Sequence, residues 1–206
     1  MNKVGTSGLL LLALALAPTR AGADDAAAST VVRQATEKLQ GLIRAHHEEY
    51  GKHREQFESI VDETLAPVFD VPALSRAALG LPWRNATPDQ QARFQAAFKK
   101  TLIRAYSTAL LAFSDSVKLQ WLASTTDGSG THVRADIIRP SGPPIELGFD
   151  LHPAAGAWKI YDIKVDAVSL ITGFKSQYVA EVRRNGLDAL IQRLDTGQPA
   201  QTANNR

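Results

Sequence analysis

Tyr106, Tyr161, Asp162 and Asp166 are of the types that acid/base chemistry needs. A carboxylate shielded from water can accept a proton, and a phenol can donate to an oxygen on which negative charge develops. An enzyme built on a cavity Asp/Tyr pair is therefore one reading of the chain, although both residue types are common and no Ser, His and Asp stand in an order that suggests nucleophilic catalysis. The histidines form no ligand pair at helical spacing: His46 and His47 are adjacent, His53 lies beyond Gly51, and His132 and His152 are isolated on strand-like segments. They read as solvated or capping side chains, with no metal site. Asp70 reads as a helix cap, and Asp162 as a group that orients a neighbouring Arg or caps a backbone amide. Arg104 and Lys175 differ from these, because each sits among apolar residues on a helix and can extend a charge past a dry surface.

Those groups are positioned by a run of helices followed by a run of strands. Val31, Ala35, Leu39, Leu42, Ile43 and His46 recur at helical spacing from Thr30 to about Tyr50, with Ser29 or Thr30 available as a cap. A second helix from about His53 turns Phe57, Ile60, Val61 and Leu65 inward and breaks at Pro67. Asp70 starts a short helix containing Pro72, and Gly80 ends it. Thr87-Pro88-Asp89-Gln90 is a capping box that opens a long helix to about Phe113. Along that helix Phe94, Ala97, Phe98, Thr101, Leu102, Ala105, Tyr106, Ala109, Leu110 and Phe113 form a broad apolar stripe. The period then changes to two, and Val117 to Leu122, His132 to Ile138, Ile145 to Leu151 and Trp158 to Val165 read as four strands of an antiparallel meander. On the third, Ile145, Leu147, Phe149 and Leu151 face a dry side, while Glu146, Gly148 and Asp150 face a wet one. A closing helix from Val168 or Ser169 carries Leu170, Phe174, Tyr178 and Val182 on one side, and a last turn follows Gly186. The architecture is α+β, with helices packed on a curved four-stranded antiparallel sheet.

Lys3, the apolar run Leu9 to Ala17, Pro18 and the small residues Ala21-Gly22-Ala23 have the form of a signal peptide over residues 1–23. One domain over 24–195 and a polar tail over 196–206 complete the expected organisation. Removal of Lys3 and Arg20 with the leader leaves 21 basic residues against the 21 acidic ones. A neutral chain argues against a nucleic-acid binder, whose affinity rests on clustered cations. With no cysteine there is no disulfide framework and no thiolate metal site.

The segment from Trp158 to Leu194 resembles one family closely. In the MlaC family of periplasmic phospholipid carriers, also described as toluene-tolerance or ABC-transporter auxiliary proteins, the pattern is W-K-V-Y-D-V, G-V-S-L, Y-R-S-Q-F and G-L-D. Here Trp158-Lys159-Ile160-Tyr161-Asp162-Ile163, Ala167-Val168-Ser169-Leu170, Phe174-Lys175-Ser176-Gln177-Tyr178 and Gly186-Leu187-Asp188 match it. Pro67-Val68-Phe69-Asp70 and Leu79-Gly80-Leu81-Pro82-Trp83-Arg84 resemble the family's P-x-F-D and L-G-x-x-W-R, with Pro82 a departure.

The resemblance implies a fold similar to the nuclear transport factor 2-like or cystatin-like plan, enclosing a hydrophobic cavity for acyl chains. It implies a glycerophospholipid cargo, no cofactor and no catalysis. The implied partners are an inner-membrane ABC transporter with a lipid-handling periplasmic ring, and an outer-membrane lipoprotein-porin complex. On this reading Phe98, Leu102, Tyr106, Phe149, Trp158, Ile160, Val168, Ile171 and Phe174 face the tails, Arg104 and Lys175 lie near the headgroup, and the chain acts as a monomer in the periplasm. Patterning alone leaves two other readings open: the same side chains as a filled core, or an apolar groove that takes a partner helix.

Overall fold

The computed structural model describes residues 20–112 and 117–198. Most of the expected leader, the end of the long helix at Phe113 and the last part of the polar tail lie outside these residues.

Helix α1 (Arg20–Lys52) begins before the expected cap: Thr30 Oγ1 donates to the Ala26 carbonyl at 2.7 Å, and Ser29 Oγ meets Ser124 Oγ at 2.6 Å. Val32, Leu39, Ile43 and Tyr50 carry its buried face. His46 was expected on that face and is exposed, because the backbone leaves helical geometry there (φ −133, ψ 23) and rotates the ring outward. Helix α2 (Arg54–Leu65) buries Phe57 and Val61 and gives way at Pro67 to a short 3-10 turn. Helix α3 (Val71–Leu79) is capped as expected, with Asp70 Oδ1 accepting from the Ala73 amide at 2.9 Å. It stops at Gly80, whose φ of 65 suits a residue without a Cβ. Pro82 is accommodated in a 3-10 turn over Leu81–Asn85.

Helix α4 (Pro88–Leu111) opens with the full capping box, in which Thr87 and Gln90 satisfy each other's backbone amides. Only the first part of its apolar stripe is deeply buried, at Phe94, Ala97 and Phe98, while Ala105 and Ala109 are exposed. Alanine is the best helix former wherever it points, so its presence in a stripe says little about burial.

The sheet has six strands rather than the expected four. The first expected strand is β1 (Lys118–Trp121), and an unexpected short strand β2 (Thr125–Asp127) follows it where only a connection and a turn were expected; both pair antiparallel with β3 (Gly130–Ile138). Strands β4 (Ile145–Ala154) and β5 (Ala157–Val165) continue the meander. A two-residue strand β6 (Val168–Ser169) pairs with β5 and absorbs the expected start of the closing helix. Helix α5 (Leu170–Asn185) then begins with Ser169 Oγ accepting from the Thr172 amide at 3.1 Å, and α6 (Leu187–Thr196) follows the break at Gly186.

Buried apolar side chains collect in three separate clusters. Leu74, Leu79, Phe94, Phe98, Tyr178 and Leu190 represent the one formed by α3, α4, α5 and α6. Ala28, Val32, Val133, Leu151 and Ile160 join α1 to the sheet. Leu39, Ile43, Tyr50, Phe57 and Val61 join α1 to α2. Phe69 packs against both of the first two clusters, and its backbone pairs with Ile160 as a single parallel bridge.

Candidate functional site

The inner face of the sheet is apolar across all its central strands. Cross-strand neighbours run Val133, Phe149 and Ile163 in one row and Ala135, Leu147 and Val165 in the next. A bulge in β5 sets the lower part of this face: Asp150 opposes Asp162 but Leu151 opposes Ile160, leaving Tyr161 as the extra residue. Ile160 and Ile163, an odd number apart, thereby share the inner side and belong to the same apolar cluster.

Helices cover this face unevenly. α1 lies on β3 and β5, and α3 and α5 lie on β5, whereas α4 packs on α1, α2, α3 and α6 and makes no close backbone contact of that extent with a strand among the described residues. Where the cover is incomplete, large apolar side chains are only half-buried: Trp121, Phe149 and Ile163 on the sheet side, and Leu102 and Phe174 on the helical side. The arrangement is an apolar wedge between two layers whose buried clusters meet at Phe69.

The expected tail residues fall into three groups. Leu102, Phe149, Trp158 and Phe174 are half-buried against the clusters, and Tyr106 is half-buried but belongs to none of them. Phe98, Ile160 and Ile171 are buried inside clusters. Phe98 stacks on Phe94 at 5.6 Å between centroids and meets Phe174 and Tyr178 edge-on, so it builds the wall against which Phe174 rests. Val168 stands apart at 68 % exposure on β6. Burial raises the pKa of the Tyr106 phenol, and more strongly that of Tyr178.

The two expected headgroup cations occupy different helix ends. The Arg104 guanidinium lies against Gly197 after α6, where carbonyls without helical partners favour a positive charge. Lys175 lies across Gly80 after α3. Trp121, Ile163, Val133 and Phe69 belong to the same apolar walls but were not singled out from sequence; the alternation of β3 could have pointed to Val133, whereas Ile163 depends on the bulge.

Two surface recesses are distinct from the wedge. One of about 300 Å³ is lined by Leu81, Pro82, Val179, Val182 and Leu187 among others. The other, of about 760 Å³, lies between α2 and α4 and is polar, with Asp62, Lys99, Arg54 and Arg104 on its walls.

The outer face of the sheet carries charge, and Asp150, expected to be solvated, is 6 % exposed. It is covered by its own partners: His132 Nδ1 at 2.8 Å and Lys164 Nζ at 2.7 Å. His132 Nε2 also meets Asp127 at 3.1 Å, and His152 meets Asp70 at 2.8 Å, so these two histidines tie strands and turns together instead of standing alone. Asp162 accepts from the Ile163 amide at 2.8 Å and Asp166 from the Glu146 amide at 3.1 Å, which engages both carboxylates of the acid/base reading in backbone bonds.

Hydrogen bonding to Asp150, with Asp127 adding to it against partial burial, raises the His132 pKa above its ordinary 6.5. The stabilisation from protonated His132 is complete below that ordinary value and is lost as pH rises through the higher folded value. The urea midpoint should therefore fall as pH is raised above 6.5, and His132→Gln should flatten that limb; identical profiles would show that the pairing contributes nothing.

Comparison with known proteins places these features in context. Residues 33–196 match the family described as MlaC protein. The toluene tolerance protein Ttg2D of Pseudomonas putida is 28% identical over 159 residues, covering 77% of this chain and 74% of that protein. The intermembrane phospholipid transport system binding protein MlaC of Haemophilus influenzae is 23% identical over 180 residues, covering 85% and 84%. Among solved structures, a phospholipid-binding protein from Ralstonia solanacearum in complex with a phospholipid superposes with a TM-score of 0.73 at 27% identity, over 82% of this chain and 95% of that one.

Proposed function

This chain belongs to the MlaC family, and we propose that it is a periplasmic glycerophospholipid carrier whose acyl chains enter the wedge between the sheet and the helical layer. The observation that carries this reading is the half-burial of Leu102, Phe149, Trp158 and Phe174 at the edges of apolar clusters that meet at Phe69. Hydrocarbon seated against these side chains completes their burial. Tyr106, Ile160, Ile171, Val168 and the buried Phe98 complete the proposed tail surface, and Arg104 and Lys175 are the cations assigned to the headgroup.

The energetics explain why such a protein is needed. Exposing tails costs about 0.8 kcal/mol per methylene, so roughly thirty methylenes in water cost on the order of 20 kcal/mol. A carrier that encloses the tails removes most of that barrier without any covalent step or cofactor. Direction then comes from the machines that load and unload it, which we assign as an inner-membrane ABC transporter and an outer-membrane lipoprotein-porin complex. The carrier itself acts as a monomer, exported by a leader cleaved before Asp24. Among the described residues no helix is long and apolar enough to cross a membrane, in keeping with a protein that moves between bilayers.

Native mass spectrometry of the purified chain, followed by lipid identification, tests the reading. The expected result is a discrete mass increment of one or more phospholipids. Ligand-free protein that also fails to take lipid from vesicles would overturn it.

A further inference from the structure

We infer that the surface formed by α3, the 3-10 turn over Leu81–Asn85 and the outer side of α5 docks on an anionic phospholipid bilayer. The basis is a charge asymmetry that a neutral overall composition conceals. Arg76, Arg84, Lys175 and Arg183 are exposed on these elements, and Arg184, nine residues from Lys175, is exposed on the opposite side of α5. None of the five forms a side-chain hydrogen bond or ion pair with another described residue. The one acidic residue in the same elements, Glu181, points inward and is held by Arg193 through two 2.7 Å bonds. Asp188, at the start of α6, is already bonded to Arg93 at 2.7 Å and to Gln90 at 2.9 Å, and Asp70, which caps α3, is bonded to His152 at 2.8 Å.

This surface also carries Leu81, which is 70 % exposed beside the cations of the turn. An isolated apolar side chain set among unpaired cations matches a bilayer interface, where the charges meet lipid phosphates and the leucine enters the acyl boundary. An acidic protein segment fits less well, because the recess under Leu81, about 300 Å³, gives such a segment little to fill.

The geometry links docking to loading. Lys175 follows Phe174 on α5, and Phe174 lines the helical side of the wedge, so a bilayer held against this face lies next to the proposed lipid entrance. The inference rests on the carrier reading for its purpose, but the surface can be tested without it.

Flotation of the full chain with vesicles of phosphatidylcholine alone, or with 30 % phosphatidylglycerol added, provides the measurement. Binding is expected only to the anionic vesicles and should weaken steeply with salt. Each cation near such a surface contributes about 1 kcal/mol, so a triple Arg76→Gln, Arg84→Gln, Arg183→Gln variant should partition on the order of 100-fold less. Leu81→Ser should weaken binding without changing its salt dependence. Equal binding to both vesicle types, or no loss in the triple variant, would overturn the inference. So would absence of vesicle binding together with salt-sensitive capture by an acidic protein, which would make the face a protein dock. Native mass spectrometry of the same preparations separates the two readings: lipid-loaded protein that ignores vesicles defeats only the docking surface, whereas vesicle binding by protein that never holds lipid defeats only the carrier.

Discussion

Leu102→Asp and Phe149→Asp, introduced singly, should each yield folded protein that emerges from purification without phospholipid. The two residues pack against the helical and the sheet cluster respectively, one on α4 and one on β4, and both are half-buried. Removing either apolar side chain forfeits about 1.5 to 3 kcal/mol of contact with a tail. A carboxylate pressed against hydrocarbon adds a desolvation cost. Together these effects should weaken lipid retention by on the order of 100-fold or more. Ala105→Asp is the matched control, since Ala105 is on the same helix and exposed, and this variant should keep its lipid. Native mass spectrometry reads the occupancy, and circular dichroism melts report whether each variant folds. Full occupancy in both wedge variants would mean that the tails lie elsewhere.

The largest stability effect is expected at the Glu181 and Arg193 pair. Arg193 places Nε and Nη2 at 2.7 Å from the two carboxylate oxygens of Glu181, and the side chains are only 12% and 11% exposed. The carboxylate raises the Arg193 pKa, with partial burial opposing it. Arg193→Met leaves Glu181 buried without its partner between α5 and α6, a change that costs about 3 to 5 kcal/mol. For a chain of this size that corresponds to a Tm lower by roughly 10 °C or more. Replacing both residues by Met removes the uncompensated charge and should recover most of the loss. If the double variant were no more stable than Arg193→Met, the damage would come from packing by the arginine stem and not from the orphaned carboxylate.

Both results depend on features with very different visibility in the sequence. The ends of the helices were legible because capping is local: Thr87 and Gln90 lie three apart, as do Asp70 and Ala73, and their bonds form whatever the rest of the chain does. The strands of the meander were legible because alternation puts Ile145, Leu147, Phe149 and Leu151 on one side. The Tyr161 bulge was not, since an extra residue in one strand has no composition of its own and appears only in the pairing with β4. Asp150 looked solvated for the same reason: its cover comes from His132 on β3 and Lys164 on β5, neither of which is its neighbour in the chain.

Local chemistry therefore determined, from the sequence by itself, the order of helices before sheet, the caps and turns that bound them, and which side chains are apolar enough to line an interior. Tertiary structure alone decided that those side chains divide into three separate clusters. The physical reason is that α4 spends its apolar face on other helices, which no periodicity can foretell.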